Sequence, residues 1–382
     1  LAINNLAPKQ ITMAEYSFAA NYGYHLDAGK FGKFLQKHCV KNLGVKHIID
    51  HVTQINSSET DDIESISTKA HGELLGDLFI DCTGTSSILL AQHYKIPFIS
   101  KKHILFNDSA LALHVPYENK ESPIASFTSS TAQTSGWIWD IGLPSRRGVG
   151  HTYSSAHITD DKAENELRNY ITPIMGKKSA GNASIRKIAF NPGHREKFWH
   201  KNCVAVGMAA GFIEPLEASA LALIELSAKM ISEQLPSNRQ TMEIVAKRFN
   251  AKFLHRWDNI VDFLKLHYTL SKRTDSDYWC DNRNETNLPE SIKEQLALWQ
   301  YQAPYKHDAI HTEELFPSAS FQYVLYGMGF ITQPLHKKRQ DQSVKADALF
   351  HENVQRTKQL LSAMPTNREL INKIKQYGLP KI

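Results

Sequence analysis

The sequence contains little cysteine, and its cysteines lack the spacing of a disulfide framework or a cysteine metal site. Cys39, Cys82, Cys203 and Cys280 lie far apart and form no C-x-x-C pair. Cys82 and Cys203 fall in apolar, strand-like runs, where cysteine is typically a small buried hydrophobe. This usage excludes a small disulfide-stapled secreted protein and predicts reduced thiols in a cytoplasmic protein.

Long apolar runs and a strong excess of one charge are also absent. No segment approaches the roughly 20 apolar residues that a membrane-spanning helix needs, so we expect no membrane partner. The formal net charge over 382 residues is only +5, and the basic residues are dispersed, which disfavours a nucleic-acid partner. The 18 histidines show no ligand spacing supported by a second motif, so we predict no metal site. What is left is an ordinary globular protein with room for two domains.

A phosphate-binding glycine turn is missing as well. A G-x-G-x-x-G motif follows an apolar strand and opens a helix, and no segment of this sequence has that pattern. The run GVG, from Gly148 to Gly150, follows Pro144 and two arginines instead of an apolar strand. The sequence therefore offers no element of its own for the ADP half of a dinucleotide.

The first part of the chain has the patterns of a mixed α/β fold. Asp27 is placed to cap a helix that Gly44 ends. From about residue 100 to 156, the alternating runs LALHV, ASFTS, WIWDI and VGHTYSS predict an antiparallel sheet. Further runs typical of strands are His47–Ile55, Ile63–Thr68, Leu74–Cys82 and Ile185–Phe190.

The composition changes near Leu235-Pro236-Ser237, and the chain beyond this point has mainly helical patterns. The predicted helices are Arg239–Trp257, Asn259–Leu270, Pro289–Gln300 and Ala346–Ser362. We therefore predict an α/β (α+β) domain over residues 1–235 and a helical C-terminal region over residues 236–382.

The most informative segment is NCVAVGMAAGFIEPLEASALALIEL, from Asn202 to Leu226. It predicts a short buried strand, a glycine turn and a helix that opens near Pro215. The free N–H groups and the positive dipole end of such a helix suit a small anion or a flavin edge. Glu217 lies in the same turn, where a carboxylate can handle protons. On these residues alone, a plain strand–helix crossover with one exposed glutamate explains the pattern at least as well.

Four ordered motifs make the sequence resemble the flavin-dependent tryptophan halogenase family. FIEPLEASA is similar to the family run F-(V/L)-(E/D)-P-L-E-S-(T/S)-(G/A). SGWIWDIGLPSRRGVGHTYSS is similar to its W-x-W-x-I-P box and the strand that follows, with Gly142 in place of the proline. The other two motifs are YGYHLDAGKFGKFL, from Tyr22, and LFIDCTGTSS, from Leu78. The resemblance runs from about residue 15 to about residue 340.

The resemblance implies a flavin monooxygenase-like FAD-binding fold whose N-terminal dinucleotide motif and catalytic lysine are not in this sequence. We interpret the chain as the C-terminal part of a longer halogenase-like protein. The implied activity uses FADH2 and oxygen to oxidise chloride or bromide to hypohalous acid, which halogenates an electron-rich aromatic substrate such as an indole. A separate flavin reductase would supply FADH2, and the sequence leaves a homodimer open.

The family motifs also imply roles for individual residues. Glu217 matches the catalytic glutamate, and Ser219 and Ala220 match the pair whose backbone amides bind halide, while Ala218 replaces a serine. Trp137 and Trp139 match the tryptophans that separate cofactor from substrate, with Pro215 also on the substrate side; core packing is the alternative for the two rings. His267 and Tyr268 are candidates to line the substrate site. The positions implied to contact the cofactor are Asp81, Gly84, Gly207, Ala209, Gly211 and Phe212.

Two other functions remain open at this stage. A flavoprotein of the same fold could oxygenate its substrate instead of halogenating it, although the tryptophan pair and Glu217 favour halogenation. A non-catalytic remnant or binding module that lost its cofactor domain is the second alternative, and the absent lysine and glycine turn keep it open.

Overall fold

The computed structural model describes residues 1–308, 314–333 and 342–381. These residues form a mixed α/β fold. The strands are β1 (Val52–Ser57), β2 (Ile63–Thr68), β3 (Gly72–Leu75), β4 (Phe79–Asp81), β5 (Phe98–Ser100), β6 (Ser109–Pro116), β7 (Ser129–Gln133), β8 (Gly136–Gly142), β9 (Arg146–Tyr153), β10 (Arg186–Ala189), β11 (Gly193–Arg195), β12 (Trp199–His200), β13 (Cys203–Ala205) and β14 (Gly211–Phe212). The helices are α1 (Ala28–Asn42), α2 (Asp160–Met175), α3 (Lys177–Asn182), α4 (Ser219–Glu233), α5 (Arg239–Thr269), α6 (Asp277–Asp281), α7 (Glu290–Trp299), α8 (Ser318–Gly327), α9 (Ser343–Ala363) and α10 (Asn367–Tyr377).

The chain divides into two compact units that do not follow the predicted boundary at residue 235. The first unit comprises Leu1–Lys46, Ser109–Ile188 and His336–Ile382; the second comprises His47–Asp108 and Ala189–Leu335. The second unit crosses residue 235 because α5 is tied to β12: the Asn250 side chain accepts from the Phe198 and Trp199 amides and donates to the Trp199 carbonyl.

The first unit is built on the five-stranded sheet β10-β6-β9-β8-β7. Its central strands β6, β9 and β8 pair antiparallel, as predicted from LALHV, WIWDI and VGHTYSS. The amphipathic helix α2 buries Ala163, Leu167 and Ile171 against the apolar side of β6 and β9. GVG lies inside β9 and forms no turn.

The second unit contains the parallel pair β4–β13 and the antiparallel strands β5, β11 and β14. β13 is fully buried, which explains its unbroken apolar sequence, because a strand covered on both faces has no need for alternation. Helix α5 crosses this unit as one element of 31 residues.

Some element boundaries differ from the prediction. The two helices predicted on either side of Asp258 are one helix, because no glycine or proline interrupts α5. The predicted strand Leu74–Cys82 is two strands, β3 and β4, in different sheets. ASFTS is largely outside the sheet, since β7 begins only at Ser129. The Asp27 cap is confirmed: its carboxylate accepts from the Lys30 amide.

In the part of the chain described here, no helix combines the length and the apolar character needed to cross a membrane.

Candidate functional site

Two turns lie side by side at the carboxyl ends of parallel strands. β4 is followed by the turn Gly84–Ser86, β13 by the turn Gly207–Ala209, and the two turns pack against each other. In open α/β sheets, ligands bind in the crevice outside the carboxyl ends of the strands. The predicted cofactor residues Gly84, Gly207 and Ala209 therefore come together at one sheet edge, and Gly211 and Phe212 follow in β14.

Gly84 and Gly207 adopt left-handed backbone conformations, with φ of 70° and 67°. A side chain at either position would be strained, because L residues with a Cβ rarely adopt these angles. No atom lies within 4 Å of the position that a Cβ on Gly84 would take. The backbone of the turn after β4 therefore faces open space at Gly84. This is the arrangement expected of a turn that a flat ligand approaches closely.

The Asp81 carboxylate faces the protein interior and holds this turn together. One oxygen accepts from the amide and hydroxyl of Thr83, and the other accepts from the Ser87 hydroxyl and the amides of Leu89 and Leu90. Asp81 is fully buried. Asp81 therefore supports the turn from beneath, whereas the backbone of Gly84 faces outward.

The chain bends sharply between Pro215 and Ser219. Pro215 opens only a single helical turn, closed by the Ala218 amide on the Pro215 carbonyl, and α4 begins at Ser219. The helical segment thus opens near Pro215, as predicted, but its first turn is separated from α4 by a break at Glu217 and Ala218. Glu217 and Ala218 both have left-handed angles, φ 62° and 51°, which interrupt the helix. Such angles cost about 1–3 kcal/mol each in residues other than glycine, so surrounding contacts must maintain the bend.

The first turn of α4 presents backbone donors at this bend. Ser219 and Ala220 are its first two residues, and no side chain caps the helix at Ala218. The first amides of a helix have no intrahelical acceptor, and they carry the positive end of the helix dipole. A small anion is the natural partner for this pair of amides. The φ of Ala220 is not positive, so alanine fits where the family motif often has glycine.

A buried polar cluster anchors the chain just before the bend. Glu214 is 2% exposed, and one of its carboxylate oxygens accepts from Asn107 Nδ2 at 2.7 Å and Tyr268 Oη at 2.6 Å. Tyr278 Oη donates to Asn107 Oδ1 at 3.0 Å. Burial, together with the Glu214 carboxylate, raises the pKa of Tyr268 well above its usual value, so this hydroxyl keeps its proton and donates. Tyr268 is thus a support for Glu214 and is buried away from any open lining.

Within the bend, Glu217 contacts a histidine from α5. Glu217 Oε1 lies 3.0 Å from His267 Nε2, and His267 Nδ1 lies 2.8 Å from the Phe263 carbonyl oxygen. Glu217 keeps 39% of its side chain exposed, so it can still reach a ligand. His267 was selected from the sequence as a residue lining the substrate site, but no spacing signal indicated its contact with Glu217, 50 residues away in the chain.

The two tryptophans of the motif lie on one face of β8, as their i, i+2 spacing predicts. The ring centroids of Trp137 and Trp139 are 6.2 Å apart in an edge-to-face arrangement. Trp137 is buried and Trp139 half-buried. They belong to the first compact unit, whereas Glu217 and the glycine turns belong to the second.

The structure gives a steric reason for glycine at position 150, in the strand that follows the tryptophan motif. Gly150 pairs with Trp139 across β8 and β9, and the indole ring lies over its Cα. A Cβ at Gly150 would meet the Leu111 carbonyl oxygen at 2.6 Å and the Trp139 ring at a still shorter distance. No rotamer change relieves a clash with a backbone atom.

We predict that Gly150→Ala moves the Trp139 ring and destabilises the protein by about 1–3 kcal/mol, the usual cost of overpacking. The midpoint of urea unfolding, together with the tryptophan fluorescence spectrum, measures both effects. Gly148→Ala is the matched control, because it lies in the same strand and a Cβ there meets nothing within 4 Å. Equal midpoints for the two variants would contradict this account of Gly150.

The comparisons with known proteins agree with this fold and these motifs. The family model described as Tryptophan halogenase matches residues 2–343. The chain belongs to the tryptophan halogenase family.

Several relatives resemble it along most of its length. Tryptophan 6-halogenase SttH from Streptomyces toxytricini is 32% identical over 85% of this chain and 61% of its own length. Tryptophan 7-halogenase RebH from Lentzea aerocolonigenes is 28% identical over 98% of this chain and 71% of its own length. The crystal structure of a tryptophan halogenase from Shewanella frigidimarina NCIMB 400 superposes with a TM-score of 0.96 at 52% identity, over all of this chain and 72% of that one. The chain thus spans about 61% of SttH, less than two thirds of that relative.

Proposed function

We propose that the protein is an FADH2-dependent halogenase that places chloride or bromide on an electron-rich aromatic substrate of the indole or tryptophan type. The observation that carries this proposal is the bend from Pro215 to Ala220, where uncapped helix amides lie beside an accessible glutamate. Family membership and the names of the relatives support it. A flavin reductase would supply the reduced cofactor, and we expect a cytoplasmic location.

The described residues fit the flavin part of FAD within a flavin monooxygenase-like fold. The outward-facing backbone at Gly84 and the left-handed turn at Gly207 would lie against the ring system, with Ala209, Gly211 and Phe212 continuing the same edge. Asp81 would hold the first turn in shape from below. When bound, the reduced cofactor supplies, with oxygen, the electrons and oxidant for converting halide to hypohalous acid.

The chain itself contributes a halide site and a proton acceptor. The amides of Ser219 and Ala220 hold the anion at the N-terminus of α4, where the dipole favours negative charge. Glu217 polarises the halogenating species and accepts the proton that the aromatic ring loses on substitution. A positioned carboxylate of this kind contributes about 10²–10⁴-fold to rate.

Oxygenation of the substrate is the competing function, and one observation weighs against it. Trp137 and Trp139 form a contiguous pair of large rings on a strand whose glycine, Gly150, is shaped to receive one of them. The family resemblance implies that this tryptophan pair keeps cofactor and substrate apart, which would prevent direct oxygen transfer. Trp137, Trp139 and Pro215 are therefore proposed on the substrate side.

The deciding experiment supplies the complete protein with FADH2, oxygen, an indole-containing substrate and either bromide or no halide. A halogenase gives a brominated product, identified by its isotope pattern in mass spectrometry, and omission of halide abolishes that product. A hydroxylated product in both reactions would establish the monooxygenase alternative. If no product forms while FADH2 still binds tightly, the protein is a binding module and the proposal fails.

A further inference from the structure

We propose that His267 is the positioning residue of Glu217: its imidazole contacts the carboxylate and orients it. This inference rests on the proposed function, because it concerns the residue assigned there as proton acceptor. The structure places the His267 imidazole directly against the Glu217 carboxylate.

Two hydrogen-bond contacts fix the orientation of the imidazole. The Phe263 carbonyl oxygen, 2.8 Å from His267 Nδ1, can only accept, so Nδ1 carries a proton. The other nitrogen, Nε2, lies 3.0 Å from Glu217 Oε1. The imidazole therefore lies between a backbone carbonyl and the Glu217 carboxylate, which makes the contact directional.

Aromatic side chains restrict the position of the His267 imidazole. Its ring lies edge-to-face against Phe263, with centroids 5.2 Å apart. Phe263 is itself buried; it stacks on Phe316, with ring centroids 4.1 Å apart, and meets Phe321 edge-to-face at 4.8 Å. A bond to the i−4 carbonyl and an aromatic wall together leave the ring little freedom. A donor held this firmly can select one orientation of a partner side chain.

The next residue of α5 secures the other side of the same bend. Tyr268 binds Glu214, which precedes Pro215, while His267 binds Glu217, which follows Leu216. Two adjacent side chains of one helix therefore hold an acid just before the bend and an acid within it. These contacts oppose the strain of the left-handed Glu217 backbone.

An ordinary exposed ion pair is the competing explanation, since such pairs stabilise a protein by only about 0–1 kcal/mol. The two explanations differ in what removal of the imidazole does. If the contact is merely a surface pair, the variant changes stability slightly and leaves catalysis intact. If His267 positions Glu217, the halogenation step slows while substrate binding and FADH2 oxidation continue.

The test measures kcat and KM for the brominated product, together with the rate of FADH2 oxidation, in the complete protein. His267→Ala should lower kcat by up to about 100-fold, the scale of ångström-sized misplacement of a catalytic group, with KM and FADH2 oxidation nearly unchanged. His267→Gln keeps a donor near Nε2 and should recover part of the loss; added imidazole should restore part of it in the alanine variant. His351→Ala is the matched control, because His351 makes the same bond to an i−4 carbonyl on an exposed helix and should leave kcat unchanged.

A double variant separates this inference from the proposed function. If His267 acts through Glu217, adding His267→Ala to Glu217→Gln should lower kcat no further than Glu217→Gln alone. An unchanged kcat in His267→Ala, with strong loss in Glu217→Gln, would overturn only the role of His267. A Glu217→Gln variant that brominates normally would overturn the role of Glu217 in the proposed function.

Discussion

Glu217→Gln should lower the rate of product halogenation by about 10²–10⁴-fold, the range expected for loss of a positioned general base. Glutamine has nearly the same shape but cannot accept the ring proton. FADH2 oxidation by oxygen should stay almost intact, since Glu217 acts after the oxidant has formed. The variant should therefore consume reduced flavin without forming halogenated product.

Parallel assays of brominated product and of FADH2 oxidation measure this uncoupling. Glu225→Gln provides the control: it makes the same chemical change at another exposed glutamate, in the helix that follows the bend. It should leave both rates unchanged. Equal slowing of oxidation and bromination in Glu217→Gln would show that the carboxylate acts before halide oxidation, contrary to the proposed role.

Much of the fold can be predicted from the sequence because local patterns match local structure. The alternation of WIWDI and VGHTYSS gives β8 and β9, and Asp27 caps α1 as its position indicates. The buried run that includes Cys203 is a strand, followed by the expected glycine turn. The division of the chain into compact units could not be predicted in the same way. It depends on the contact of α5 with β12 through Asn250, and no local pattern in the sequence indicates that tertiary contact.

Less of the candidate site could be predicted from the sequence, because its geometry also depends on features that have no local pattern. The motif names Glu217, but neither it nor Ala218 is a residue type that predicts left-handed angles. The sequence therefore predicts a helix that opens near Pro215, but not the break that delays α4 until Ser219. The partners of the bend, His267 and Tyr268, come from a helix 50 residues further along the chain, and only the folded chain brings them to Glu217 and Glu214.

The second large effect is expected for Trp137→Ala, which should lower the free energy of unfolding by about 3–5 kcal/mol. Trp137 is only 5% exposed and packs edge-to-face on Trp139. Its removal would leave a cavity and take away an edge-to-face aromatic contact, which contributes about 0.5–1.5 kcal/mol beyond burial. Trp137→Phe should lose much less, because it keeps an aromatic ring in the same space.

Urea unfolding of the unsubstituted protein, Trp137→Ala and Trp137→Phe measures this effect. Tyr377→Ala serves as a control because that ring is 71% exposed. A surface truncation of this kind should change stability by no more than about 0.5 kcal/mol. The same preparations report on function: loss of the ring wall should also raise the proportion of hydroxylated to brominated product. Unchanged stability with an altered product ratio would place Trp137 on an open lining, whereas lost stability with an unchanged ratio would make it a core residue and remove it from the substrate side.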